Sequence, residues 1–197
     1  MKKDKLKDLW EGRDPQFDVQ FEESIIRNLC DYGKGTSQYQ DARGKVLGAG
    51  YEAYIMAFFI GLYYNKTLPL PSDSKSKKGF GWPIRNWGNV ENRKGRKSYH
   101  ELTTFMFVAL IAKADIDFIA LDKGEITTRK AVDILIQKME EYANYGFHYM
   151  LTEKLDINPG YFYRNTAFLD IFTGFIKQED AIPADFDDDE DEVEPLD

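Results

Sequence analysis

The sequence predicts a single all-α domain of five to seven helices. In several segments apolar residues recur every three or four positions, which is the spacing of a helix that buries one face. No run of alternating apolar and polar residues is long enough to predict a strand. The 197 residues are 43% hydrophobic and 15% aromatic, so the chain carries enough apolar surface for one sizeable core. We assign residues 1–182 to this domain and residues 183–197 to a disordered acidic tail.

The amino-terminal part contains two predicted helices. Asp18 can cap a helix whose apolar residues run from Phe21 to Leu29 at helical spacing. A second helix, over residues 51–64, is apolar nearly all round, which predicts a position at the centre of the domain. Pro69 prevents any extension of that helix, because proline has no backbone donor and disfavours helix in the residue before it.

Helical spacing resumes in the middle of the chain. Ser98 and Glu101 have the spacing of a capping box, and the run that follows them is wholly apolar. We therefore predict that the helix over residues 99–113 is the second buried core helix. A short helix or turn over residues 115–122 should end at Gly124, because glycine readily adopts the left-handed conformation that closes a helix.

The next segment has the clearest helical period in the chain. A long helix begins at Thr127 or Thr128, and Gly146 predicts a kink in it or a helix-turn-helix. A last helix is predicted after the Asn-Pro-Gly sequence at residues 158–160. The apolar stripe of the long helix consists of Val132, Leu135, Ile136, Met139 and Ala143.

The charge of the chain is unevenly distributed. The formal net charge is −8, but residues 185–197 carry nine acidic residues and no basic one, so the rest of the chain is nearly neutral. The chain begins with charged residues instead of the apolar run of a secretory signal, and the apolar segment at 51–64 falls short of the roughly 20 residues that span a membrane. Cys30 is the only cysteine, which excludes an intrachain disulfide and fits a reducing compartment. These features predict a cytoplasmic protein without membrane contact.

Few residues suggest a catalytic or metal centre. The two histidines, His100 and His148, have no second ligand at helical spacing, so we predict no metal site and no cofactor. Cys30 lies among apolar residues, which predicts a buried and unreactive thiol. The Gly48-Ala49-Gly50 sequence lacks the Lys-Ser or Lys-Thr of a phosphate-binding loop, so close helix packing explains it better.

Residues 71–97 are rich in glycine, proline and serine and have no regular period, so we predict a long, exposed and mobile loop. A connection of this length inside a compact domain is more often functional than merely structural. From Lys66 to Lys97 the chain carries nine basic residues and two acidic ones, a net charge of +7. Aromatic residues are interleaved with these cations, which suits phosphate neutralisation combined with stacking on bases.

Three explanations of this basic aromatic loop remain open. It can bind nucleic acid or a protein partner, or it can be an ordinary polar loop whose aromatic residues hold it to the core. It can also attract the acidic tail of the same chain, which would then compete with a polyanion. The first explanation assigns binding to Lys75, Lys77, Lys78, Trp82, Arg85, Trp87, Arg93, Lys94, Arg96 and Lys97.

Two segments resemble a family of small bacterial proteins found beside the DNA phosphorothioation machinery, the Dnd system-associated proteins. Residues 53–70, AYIMAFFIGLYYNKTLPL, are similar to an apolar helix of that family that ends in glycine and a basic, proline-containing turn. Residues 140–147, EEYANYGF, resemble its closing helix. The resemblance implies an accessory role in DNA modification or phage defence, and it brings no catalytic residues with it.

The sequence leaves two functional hypotheses. The first is a non-catalytic accessory or adaptor protein that contacts nucleic acid or a partner through the basic aromatic loop. The alternative is a hydrolase, of unidentified substrate, that uses carboxylates such as Glu101 and Glu141 in a cleft. A cleft with paired carboxylates of raised pKa would favour the hydrolase, whereas a contiguous basic face would favour binding.

Overall fold

The computed structural model describes residues 5–31, 46–89 and 97–179, with residues 175–179 described only as part of a helix. Within these ranges the chain forms seven α-helices and one two-stranded antiparallel sheet, which confirms the predicted all-α class. The predictions for Arg93, Lys94, Arg96 and the tail at 183–197 concern residues outside the described ranges. None of the helices described is both long and apolar enough to cross a membrane.

Helices dominate the order of elements along the chain. The strands β1 (Gln16–Asp18) and β2 (Lys77–Gly79) pair with Gln16 opposite Gly79. One turn of π-helix, Glu22–Ile26, directly precedes the helix Arg27–Leu29, and another, Met150–Leu155, directly follows the helix Thr128–Tyr149. Turns of 3-10 helix lie at Ser74–Ser76, Ile84–Asn86 and Tyr161–Tyr163. The α-helices are α1 (Leu6–Glu11), α2 (Arg27–Leu29), α3 (Gly50–Tyr64), α4 (Glu101–Lys113), α5 (Phe118–Lys123), α6 (Thr128–Tyr149) and α7 (Ala167–Glu179).

The two longest helices, α3 and α6, cross in direct contact at the centre of the domain. A Cβ atom on Gly61 would collide with the carbonyl oxygen of Tyr142, and one on Gly146 would collide with that of Ala57. The two contacts run in opposite order along the helices, so α3 and α6 are antiparallel. Glycine at both positions lets the backbones approach more closely than any side chain would permit.

The core around this crossing includes the apolar faces predicted for both helices. All five residues of the predicted stripe on α6 are buried, and ten of the fifteen residues of α3 are buried as well. Cys30 is also buried, as its apolar neighbours predicted. The central position predicted for residues 51–64 is thus confirmed.

The prediction that the helix over residues 99–113 is the second core helix is wrong. In α4 only Thr103, Met106 and Leu110 are buried, whereas Phe105 is 61% exposed and Val108 is 59% exposed. The second central helix is α6. A helix that is apolar on every side does not reveal how many neighbours cover it, so composition alone could not distinguish α4 from α3.

Two local predictions about helix ends are also corrected. Helix α6 continues through Gly146 to Tyr149 without the interruption of a helix-turn-helix, and that glycine lies against the backbone of Ala57. The capping box predicted at Ser98 does not form, since its hydroxyl donates to the carbonyl oxygen of Gly88 at 3.1 Å and Glu101 is already the first residue of α4.

Other helix ends agree with the sequence. The Asp18 carboxylate accepts a hydrogen bond from the backbone amide of Gln20 at 2.9 Å, where the helical segment that continues into α2 begins. Thr127 caps α6 by accepting the amide of Lys130 at 3.2 Å. Gly124 ends α5 with a φ of 79°, the left-handed region in which glycine carries no steric penalty.

We expect Gly146→Ala to destabilise the domain strongly. The added methyl group would collide with helix backbone, which cannot rotate away as a side chain could, so we expect a loss of about 3 kcal/mol in the free energy of unfolding. Urea denaturation monitored by circular dichroism measures this loss.

Gly174→Ala is the matched control for this variant. Gly174 lies in α7 with no atom within 4 Å of its would-be Cβ, so alanine there should leave stability unchanged or raise it by up to about 1 kcal/mol. Equal stability of the two variants would show that the α3–α6 crossing is not tightly packed.

Candidate nucleic-acid interface

The described part of the predicted loop is folded onto the domain. Residues 71–89 contain two 3-10 turns and strand β2, and both Ile84 and Trp87 are fully buried at 0% exposure. The expectation of an irregular loop is therefore wrong where these turns and the strand form, whereas the expected exposure is found for residues such as Lys75, Trp82 and Arg85. A three-residue strand and isolated buried side chains leave no period in the sequence, which is why the pattern did not reveal them. We call residues 66–89 the basic segment.

The basic segment is held in place by strand β1 and by the residues that connect α1 to it. Strand β2 pairs with β1, and the Phe80 ring stacks on the Phe17 ring with 4.9 Å between centroids. The Asp14 carboxylate accepts the backbone amides of Phe80 at 3.1 Å and Gly81 at 2.8 Å. Further along, the amide of Ile84 donates to the carbonyl oxygen of Arg13 at 2.9 Å. These contacts fix the backbone on both sides of Trp82.

Sequence reasoning missed this anchoring role of Asp14. Asp14-Pro15 is a local turn signal. Nothing local predicts that the carboxylate binds amides 66 and 67 residues further along the chain.

The two tryptophans of the basic segment have opposite environments. The Trp87 indole stacks on Tyr51 at 5.6 Å, and its Nε1 atom donates to the carbonyl oxygen of Trp82 at 2.9 Å. Because Trp87 is fully buried, its predicted role in stacking on bases is wrong, and it belongs to the core. Trp82 is 51% exposed and remains available to a ligand.

The predicted cations also divide into two groups. Lys78 lies 2.9 Å from a carboxylate oxygen of Glu22, and this Lys78 contact, assisted by Arg27, lowers the pKa of Glu22. Lys78 is therefore engaged within the protein. Lys75 and Arg85 are exposed and Lys77 is half-buried, and all three belong to the same anchored segment as Trp82.

Lys97 lies near the carboxyl end of the basic segment. The Ser98 hydroxyl and the Tyr99 amide both donate to the carbonyl oxygen of Gly88, at 3.1 Å each. Lys97 itself is exposed. The basic segment contains five basic residues and one acidic residue, a formal charge of +4 before the Glu22 contact is counted.

The carboxylates named by the hydrolase hypothesis do not form a described acid–base pair. Glu101 is exposed at the start of α4, and Glu141 on α6 accepts Gln137 Nε2 at 2.9 Å and Lys138 Nζ at 3.2 Å. A cavity of about 430 Å³ between α3, α4 and α7 has no carboxylate in its wall. Its lining residues are Ile55, Met56, Phe59, Leu62, Tyr63, Leu102 and Phe172. Among the residues with described positions, no group of three His, Cys, Asp or Glu could hold a metal ion.

Neither a model of a known protein family, nor a curated protein, nor a solved structure matches this chain. The resemblance to Dnd system-associated proteins therefore stays a prediction. In the structure, the two segments that carry it lie against each other. Besides the glycine contacts of α3 and α6, the Leu68 amide donates to the Glu141 carbonyl oxygen at 3.0 Å, and Asn144 donates to that of Pro69 at 2.9 Å. The two segments form part of the core and include the start of the basic segment.

Glu140 is a second acidic group near the basic segment whose pKa is perturbed, in the direction opposite to that of Glu22. Burial raises the pKa of Glu140, against the opposing effects of the Gln16 amide, which donates to Oε1 at 2.8 Å, and of Lys77 and Arg13. The carboxyl group is harder to ionise in the folded than in the unfolded chain. Its contribution to stability is therefore greatest below the unfolded pKa and decreases as pH rises through the folded pKa.

We expect Glu140→Gln to gain stability relative to the wild type as pH rises from about 4 to 7. Glutamine stays neutral and keeps an acceptor for the Gln16 amide. Thermal melts of both proteins across this pH range measure the difference in Tm. Glu125→Gln removes the same charge from an exposed position and controls for net charge. A Tm difference that stays constant or falls with pH would show that the attraction of Lys77 and Arg13 outweighs burial.

Proposed function

We propose that the protein is a non-catalytic accessory or adaptor protein that binds nucleic acid through the basic segment. The resemblance of residues 53–70 and 140–147 suggests the setting, a bacterial DNA-modification or phage-defence system in the cytoplasm. The observation that carries the proposal is the half-exposed Trp82, held on a fixed backbone in the same segment as the exposed Lys75 and Arg85.

The fixed backbone supports this assignment on energetic grounds. An exposed indole ring offers a flat surface on which a base can stack. Here the backbone around Trp82 is set by Asp14 on one side and by the Trp87 indole on the other. Since the segment is already ordered, binding loses little conformational entropy there, unlike binding that must first order a flexible loop.

The charges support a polyanion as the ligand. Lys75, Lys77 and Arg85 supply three cations that lie close together in sequence on the segment, in addition to Lys78, whose charge Glu22 shares. Neutralising about three phosphates of a single strand releases counterions and gives a logarithmic salt slope of about −2. A hydrolase has no comparable support, because no carboxylate lines the apolar cavity.

The fluorescence of Trp82 offers a direct test. The other two tryptophans, Trp10 and Trp87, are fully buried, so quenching by an added oligonucleotide should come from Trp82 alone. We expect quenching by single-stranded DNA at low salt and its loss in Trp82→Phe. Absence of binding in fluorescence anisotropy at low salt would overturn the proposal.

The cations are tested by a matched pair of double variants. Lys75→Ala with Arg85→Ala should flatten the salt slope of single-stranded binding by about 1.4, because two phosphate contacts are lost. Lys123→Ala with Lys130→Ala removes two exposed cations from α5 and α6 and should leave the slope unchanged. If both double variants have the same effect, binding follows overall charge and the basic segment is not the site.

The acidic tail should oppose this binding. Its nine acidic residues offer the same cations an intramolecular polyanion. We therefore expect deletion of residues 185–197 to tighten oligonucleotide binding, most strongly at low salt. A salt titration of the full-length and shortened proteins compares them, and an unchanged affinity would show that the tail does not compete for the site.

A further inference from the structure

A second group of aromatic and basic residues lies along the carboxy-terminal half of α6. We call it the tyrosine row, and it combines four tyrosines with three cations. Lys66 Nζ lies 5.9 Å from the ring centroid of Tyr64 and 5.8 Å from that of Tyr145. The members of the row are Tyr64, Tyr145, Tyr149, Tyr161, Lys66, Lys154 and Arg164.

The same arrangement repeats at the other end of the row. Lys154 Nζ lies 5.2 Å from the ring centroid of Tyr149 and 5.1 Å from that of Tyr161. The Arg164 guanidinium covers Tyr161 at 4.7 Å. The rings of Tyr64 and Tyr149, 4.9 Å apart, connect the two halves. Two groups of cations and tyrosine rings are thus joined into one continuous row by the contact between Tyr64 and Tyr149.

Four elements bring these side chains together. Tyr64 ends α3, and the following turn through Asn65, with a φ of 49°, returns Lys66 toward α6. Tyr145 and Tyr149 are one turn apart on α6 and therefore share a face. The π-helical turn at Met150–Leu155 carries Lys154, and the 3-10 turn at Tyr161–Tyr163 carries Tyr161.

The core does not bury the four tyrosines of the row completely. All four tyrosines are half-buried, so each keeps part of its surface open to solvent, and Lys66 is exposed. A cation over an aromatic face is attracted only weakly where water is present. A ligand that offers phosphates to the lysines and flat rings to the tyrosines can replace these contacts with stronger ones.

We propose that the tyrosine row binds single-stranded nucleic acid. Bases stack on the tyrosine rings, and the phosphates between them pair with Lys66 and Lys154. Arg164 already pairs with Asp170 at 2.6 Å, so its part is to support the Tyr161 ring. Glu153, beside Lys154, is exposed and is an acidic residue next to the row. The ligand is single-stranded because the bases of a duplex stack on each other and are closed to side chains.

This inference rests on the proposed function and extends its site. Lys66 belongs to both the tyrosine row and the basic segment. Between the two, Leu68 and Pro69 are hydrogen-bonded to Glu141 and Asn144 of α6, and Lys77 lies close enough to Glu140 to affect its pKa. Both surfaces therefore border the same part of α6.

The test uses the full chain and four labelled probes: oligo-dT, oligo-U, a DNA duplex and an RNA duplex of equal length. Tyr145→Ala should weaken binding of the single strands about tenfold, since one stacking platform is lost, and should leave duplex binding unchanged. Tyr145→Phe keeps the ring and should bind as the wild type does. Tyr163→Ala removes an exposed tyrosine outside the row and is the matched control.

Charge variants test the row independently of any folding defect in Tyr145→Ala. Lys66→Gln with Lys154→Gln should lower the salt slope of single-stranded binding by about 1.4 while Tm stays within a few degrees of the wild type. An unchanged single-strand affinity in both Tyr145→Ala and this double variant would overturn the tyrosine row.

The Trp82 signal separates the two proposals. Quenching of Trp82 without any effect of the row variants would leave the basic segment as the site and overturn the row. Loss of single-strand affinity in the row variants, without quenching of Trp82, would support the row and overturn the basic segment. No binding of any probe at low salt would overturn both.

Discussion

Where α3 crosses α6, two glycines allow the helix backbones to touch, and the other elements are arranged around that contact. Gly61 of α3 lies against the backbone of Tyr142 of α6, and one turn away Gly146 of α6 lies against the backbone of Ala57 of α3. Neither helix can therefore rotate or slide without a backbone collision. The crossing also fixes where the chain leaves α3. Leu68 and Pro69 are held against Glu141 and Asn144, and this starts the basic segment along α6.

Charges within the domain determine which cations a ligand can reach. Glu22 engages Lys78, and Asp133 engages Arg13 at 2.7 Å. Lys75 and Arg85 are left exposed on the basic segment, while Lys66 and Lys154 lie over tyrosine rings. The formal charge of a segment therefore overstates its capacity for phosphate, because part of that charge is already neutralised by the protein's own carboxylates.

Sequence periodicity was sufficient for features that depend on neighbours in the chain. The stripe of α6 and the cap at Thr127 are local, and the sequence predicted both correctly. It failed where the deciding contact is distant. Trp82 and Trp87 look alike in the sequence, but the packing of Trp87 against Tyr51 and Tyr54 of α3 makes it a core residue, whereas Trp82 is half-exposed. The sequence does not predict the tyrosine row for the same reason, since its members come from four separate elements.

The crossing of α3 and α6 also determines when the domain can form during synthesis. Ala57 and Gly61 meet partners more than 80 residues further along the chain, so the core cannot close until α6 has emerged from the ribosome. At ordinary translation rates this takes roughly 4–16 s. During that time the fifteen-residue helix α3, the most apolar stretch of the chain, lacks its main partner, α6. A chaperone that binds exposed apolar segments would therefore protect the nascent chain until α6 emerges.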